Sequence, residues 1–181
     1  KTLDLVYIAL FAVIMAVCSW IAIPAGIPFT LQTFGVLITA GLLGARRGVA
    51  AVLIYLLLGA VGVPVFANFG AGPGVLLGPT GGYLVGFIFT ALLTGWLIRF
   101  FPGKLAAIFL AMLAGLLVCY AFGTAWFMIV YARSSGAIGL AAALAWCVAP
   151  FIIPDLLKIT LAALLVKRLS PYMKTAAAAK G

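Results

Sequence analysis

The chain has 181 residues, of which 67% are hydrophobic and 7% charged, and its mean hydropathy is +1.38. Soluble domains carry roughly 45–50% apolar and about 25% charged residues. The composition therefore excludes a soluble globular protein and indicates a single integral membrane domain over residues 1–181. The net charge is +9, but the basic residues fall singly or in pairs between apolar runs. Membrane topology explains that pattern and no nucleic-acid partner is expected; membrane lipid is.

A spanning helix needs roughly 20 residues, so the apolar runs predict an all-α membrane protein with six transmembrane helices. Their expected positions are 3–23, 31–44, 49–65, 82–99, 105–130 and 150–168. The first run lacks a small-residue cleavage site and reads as a retained helix, ended by Pro24-Ala25-Gly26-Ile27-Pro28. Ala9, Ala12 and Ala16 lie at helical spacing on it. Such a stripe lets another helix approach closely, either inside the bundle or in a partner protein.

Thr30 and Gln32 precede the second run and suit either a loop that closes over a ligand or a helix cap. Arg46 and Arg47 mark a tight connection to the third run. The segment from Phe66 to Gly81 is rich in glycine yet too apolar for a solvated linker. Irregular backbone of that kind is tolerated at membrane depth where it lines a cavity. Asn68 and Tyr83 bring hydrogen-bonding groups to it, although a turn residue and an interfacial anchor are the plain alternatives. Gly82-x-x-x-Gly86 then opens the fourth run as a close-packing motif. No lysine follows Gly78-Pro79-Thr80-Gly81-Gly82 to meet a phosphate, so this is not a nucleotide loop. Trp20, Trp126 and Trp146 fall near external ends and read as interfacial belt residues.

Residues 137–166 are too long for one span, since 30 residues at 1.5 Å each reach about 45 Å against a core of about 30 Å. Pro150 and Pro154 divide them into a short helix or lid over Ala137–Ala149 and a sixth span. Within that span lie Asp155 and Lys158. A charge near the bilayer centre costs roughly 2.5–3.5 kcal/mol even on permissive scales. A spacing of three places the two on one helical face, close enough to pair. Such a pair serves either to pack the bundle or to form a polar site for a small solute, and the second reading is favoured.

Lys1, Arg46, Arg47, Arg99, Lys104, Lys167, Arg168, Lys174 and Lys180 all fall at one face if both termini are cytoplasmic. That orientation puts the Asp155 pair in the outer half of the membrane. Catalysis is poorly supported. The chain has no histidine, and no cluster of carboxylates or cysteine–histidine pair with which to hold a metal, so no cofactor or metal is expected. A membrane enzyme using Asp155 and Lys158 is the distant alternative.

Three stretches in this order carry a resemblance. They are Thr30-Leu31-Gln32-Thr33-Phe34-Gly35, Gly62-x-Pro64-Val65-Phe66 running into Leu77-Gly78-Pro79-Thr80-Gly81-Gly82-Tyr83, and Pro154-Asp155-Leu156-Leu157-Lys158. Together they resemble the BioY family, the biotin-capturing S components of energy-coupling factor (ECF) transporters. The resemblance implies the six-helix S-component fold and a prokaryotic plasma-membrane location, with biotin bound near the external face. It also implies an energising module of two ATPases and a transmembrane coupling subunit. Polar residues at Asp155, Lys158, Tyr83 and Asn68 would contact biotin, with Thr30 and Gln32 in the loop above. The alanine stripe would match the docking surface for the coupling subunit. An S component for a related vitamin is the alternative within the class.

Overall fold

The computed structural model describes residues 2–23 and 29–178. The expected break at Pro24–Pro28 lies outside the described residues. Helix α1 (Thr2–Trp20) leads to a minimal antiparallel ribbon, β1 (Ala22–Ile23) with β2 (Phe29–Thr30), where the sequence predicts only a loop. There follow α2 (Gln32–Ala60), a 3-10 turn at Ala67–Phe69, α3 (Pro73–Leu77), α4 (Gly81–Ile98) and α5 (Leu105–Ser135). The short α6 (Leu140–Cys147), a second 3-10 turn at Ala149–Phe151 and α7 (Ile152–Ala178) complete the described chain.

Helix α2 is one element by hydrogen bonding but two by geometry. Gly44 breaks it with φ 75° and ψ 177°, a conformation that costs glycine little because it has no Cβ. In a continuous helix, residues eight apart lie about 12 Å apart. Yet a Cβ built on Gly48 would stand 3.2 Å from the Ala40 Cα. Gln32 and Tyr55, 23 residues apart, are hydrogen-bonded at 2.5 Å. The chain therefore reverses at Gly44, and the two limbs of α2 pack side by side. Five helical stretches are long and apolar enough to cross a membrane. With α2 folded back, the bundle has the six segments of the S-component architecture.

Packing is closest around α4, which lies between α2 and α5. Glycines make this possible. A Cβ at Gly82 would overlap Trp126 on α5, and one at Gly86 would sit 3.3 Å from the Cys119 Cα, so the Gly82–Gly86 motif is a contact of α4 with α5. The three cysteines are free and buried. Trp126 is not a simple belt residue, since its indole N–H donates to the Gly78 carbonyl at 2.9 Å and ties down the glycine-rich segment.

The alanine stripe divides between two surfaces. Ala12 and Ala16 are 2% and 5% exposed and belong to the hydrophobic core; only Ala9 faces outward. Their smallness serves the contact of α1 with α2, where a Cβ on Gly35 would already stand 3.2 Å from Cys18. The outward face of α1 is instead lined by Leu5, Val6, Leu10, Val13 and Val17.

Candidate functional site

The site is built where α7 begins. Pro154 sits in its first turn, where backbone N–H groups have no helical acceptor and a missing donor costs nothing. Asp155 follows in the same turn, at the positive end of the helix dipole. One turn further, Lys158 places Nζ 2.8 Å from Asp155 Oδ1. Both residues are buried, at 3% and 5% exposure. A buried ion pair holds only when its remaining donors and acceptors are also satisfied.

Three other elements supply those partners. The Thr33 hydroxyl, from the start of α2, donates to Asp155 Oδ1 at 3.2 Å. The Tyr120 hydroxyl, from the middle of α5, donates to Oδ2 at 2.5 Å. Lys158 donates to the Thr30 carbonyl at 2.6 Å and, at 3.4 Å, to the Thr33 hydroxyl. Its ammonium also lies 4.2 Å from the centre of the Phe29 ring, an attraction to the π face. The pair therefore fastens α7 to α5 and to the entry of α2.

Asp155, Lys158, Tyr120, Tyr83, Thr33 and Gln32 all line one cavity, whose other walls include Phe66, Val75, Leu84, Phe87 and Phe151. A mostly apolar pocket with a few convergent polar groups is the usual form of a small-molecule site. Its hydrogen-bonding capacity is specific. A carboxylate offers about four lone-pair positions. Among the described residues Asp155 Oδ1 accepts from Lys158 and Thr33 and Oδ2 from Tyr120, which leaves one position on Oδ2 that none of them fills. Lys158 has one proton in a long bond to Thr33 that can turn to a ligand acceptor. The site thus presents an acceptor beside a donor.

The sequence-predicted residues are distributed unevenly around it. Tyr83 lines the cavity, and its hydroxyl donates to the Cys147 carbonyl at 3.3 Å, joining α4 to the end of α6. Gln32 lines it too, but its amide donates to the Tyr55 hydroxyl, which in turn donates to the Val65 carbonyl at 3.0 Å. The Gln32 carbonyl oxygen and the second amide proton remain for a ligand. Thr30 lines the cavity and contributes its main-chain carbonyl to Lys158, while its hydroxyl accepts from the Gln32 N–H at 3.2 Å in a local turn; the N-cap of α2 is Leu31, with no side-chain cap bond. Asn68 is not brought to the cavity. It is exposed in a turn with φ 55°, a left-handed conformation that asparagine tolerates better than most residues. Thr33 and Tyr120 were not among the expected residues. Tyr120 has a signal in hindsight, a phenol in the middle of a 31-residue apolar helix, where a buried hydroxyl needs a partner.

A profile of the BioY family matches residues 1–175. The chain belongs to the BioY family. It is 42% identical over 168 residues to the biotin transporter BioY of Thermotoga maritima, covering 92% of this chain and 95% of that one. The biotin transporter BioY of Rhodobacter capsulatus is 37% identical over 186 residues, with 96% of each chain covered. A crystal structure of the S-component for biotin from an ECF-type ABC transporter superposes with a TM-score of 0.84 at 28% identity. That match covers 93% of this chain and 91% of the other. The protein is therefore a multi-pass membrane transporter component and not an enzyme.

Proposed function

We propose that this BioY-family chain captures biotin in the cavity at the start of α7 and presents it for import. The observation that carries the reading is the buried Asp155–Lys158 pair, with one acceptor position on Oδ2 that no described residue fills and one turnable proton on Nζ. The ureido ring of biotin offers N–H donors beside a carbonyl acceptor on an otherwise apolar bicycle. Asp155 would receive an N–H and Lys158 would meet the carbonyl, while the Phe66, Leu84, Phe87 and Phe151 walls hold the hydrocarbon. Tyr120 and Thr33 keep the polar groups in place, and Tyr83 adds a hydroxyl to the cavity wall. A buried polar group left without its ligand partner costs about 1–3 kcal/mol, which disfavours analogues that lack the ureido group.

Release to the cytoplasm would be driven by an ECF energising module, with two ATPases and a transmembrane coupling subunit. The chain would then sit in the plasma membrane of a prokaryote with both termini inside, the ligand cavity near the external face. The basic residues favour that orientation, because Arg46, Arg47, Arg99, Lys104, Lys167 and Arg168 fall on the opposite end of the bundle from Asp155. The outward face of α1, with Ala9 on it, is the surface available to a coupling subunit.

Calorimetric titration of the detergent-purified protein with biotin, desthiobiotin and an unrelated vitamin tests the capture step. Saturable biotin binding with no heat from the unrelated vitamin is expected. A folded protein that binds no biotin would overturn the assignment. Uptake of labelled biotin by vesicles carrying this chain, with and without a coupling subunit and its ATPases, tests the energised step. Uptake that ignores ATP in both preparations would remove the module from the account.

A further inference from the structure

A second cleft lies at the end of the bundle away from the Asp155 cavity. Along α7, Lys167 is 12 residues beyond Asp155, or about 18 Å, and along α4, Arg99 is 16 residues beyond Tyr83, or about 24 Å. Arg47 from the Gly44 turn, Arg99 from the end of α4 and Lys167 from α7 all line this cleft of about 570 Å³. Gly44 and Gly103, both with positive φ, help to form its walls, and a Cβ on either would meet nothing within 4 Å.

The three cations are poorly compensated. Arg47 lies 3.3 Å from Asp4 with its side chain 43% exposed. Among the described residues, neither Arg99 nor Lys167 has a carboxylate within ion-pair distance. The Arg99 guanidinium rests 4.7 Å from the centre of the Phe100 ring and 5.8 Å from that of Trp96. Aromatic rings of this kind mark the level of the lipid headgroups. Beneath the charged rim the walls are apolar, formed by Leu42, Ile98, Ile108 and Val166, while Ser170 adds a hydroxyl.

We propose that this cleft binds the headgroup of an anionic phospholipid, with the phosphate among Arg99, Lys167 and Arg47. The charge is of the right sign, and basic pockets between helices at the cytoplasmic face suit such headgroups. The apolar walls distinguish a lipid from free phosphate, which has no use for them. The cytoplasmic placement of this cleft rests on the proposed orientation, and its lining shares no residue with the Asp155 cavity.

The test is thermal melting of the full chain in neutral detergent, titrated with phosphatidylglycerol, phosphatidylcholine or inorganic phosphate. Phosphatidylglycerol is expected to raise the melting temperature at concentrations roughly tenfold below those at which phosphatidylcholine acts. Arg99→Gln combined with Lys167→Gln should erase that preference. Arg133→Gln, which removes a charge from the opposite end of the bundle, should leave it intact. Stabilisation by inorganic phosphate alone would overturn the lipid assignment in favour of a free anion. Equal loss in Arg133→Gln would overturn it in favour of bulk charge. No response to any of the three would overturn it as well.

Discussion

The two ends of the bundle hold most of the protein's charge and treat it in opposite ways. At the start of α7, Asp155 and Lys158 neutralise each other inside the protein, and Thr33, Tyr120 and the Thr30 carbonyl take up most of their remaining capacity. At the other end, Arg47, Arg99 and Lys167 come from separate elements and are exposed, and among the described residues only Arg47 has a carboxylate partner, the partly exposed Asp4. Composition alone gives both ends as charged residues in an apolar chain. Burial and partnering divide them into a buried neutral pair and an exposed cationic cleft.

The comparison breaks hardest at Asp155. Asp155→Ala leaves the Lys158 ammonium buried without its partner, which costs about 3–5 kcal/mol. A lowered melting temperature and loss of biotin binding are expected together. Asp155→Asn keeps the shape and should weaken biotin binding by about tenfold, a loss of about 1.4 kcal/mol, with the fold retained by circular dichroism. An unchanged dissociation constant in that variant would remove Asp155 from the site.

The alanine stripe offers the next largest effect. Ala12→Leu forces extra methyl groups into the contact between α1 and α2 and should destabilise the protein by about 1–3 kcal/mol. Ala9→Leu, on the outward face, should leave the melting temperature of the isolated chain nearly unchanged. If both variants melt alike, the assignment of the two alanines to different surfaces fails.

Tyr120→Phe removes one hydrogen bond to Asp155 while keeping the ring. A hydrogen bond to a charged group is worth roughly 1.5–3 kcal/mol, and part of that loss should appear as a several-fold weaker biotin dissociation constant. The same change on top of Asp155→Asn should have a smaller effect, because the two groups act through one contact. Equal effects in both backgrounds would make Tyr120 a packing residue only. Smallest of all, Asn68→Gly should leave biotin affinity within about twofold, since Asn68 is exposed outside the cavity and glycine accepts its φ freely. A larger loss would return Asn68 to the site.

What could be read from the sequence follows from how local each cause is. Apolar runs report spans because every backbone polar group in lipid must be satisfied within the helix. The Gly44 reversal was legible through Arg46 and Arg47, charges that cannot stay in hydrocarbon. Asp155 and Lys158 stood out for the same reason, and their spacing alone brought them to one face. Partners from distant elements were not legible. Nothing in the order of residues brings Thr33 and Tyr120 to a carboxylate 122 and 35 positions away. The direction of the alanine stripe was hidden too, because in a helix apolar on all sides the sequence does not say which face meets the bundle and which meets lipid. Asn68 was read by its chemistry, and backbone conformation decided its place.

The most direct measurement is equilibrium binding of biotin to the wild-type protein and to Asp155→Asn, side by side under one set of conditions. Nanomolar binding by the wild type, about −12 kcal/mol, with the variant weaker by tenfold or more, is the predicted result. Tight binding that is equal in both would contradict a site centred on Asp155, and no binding by folded wild-type protein would contradict biotin capture itself.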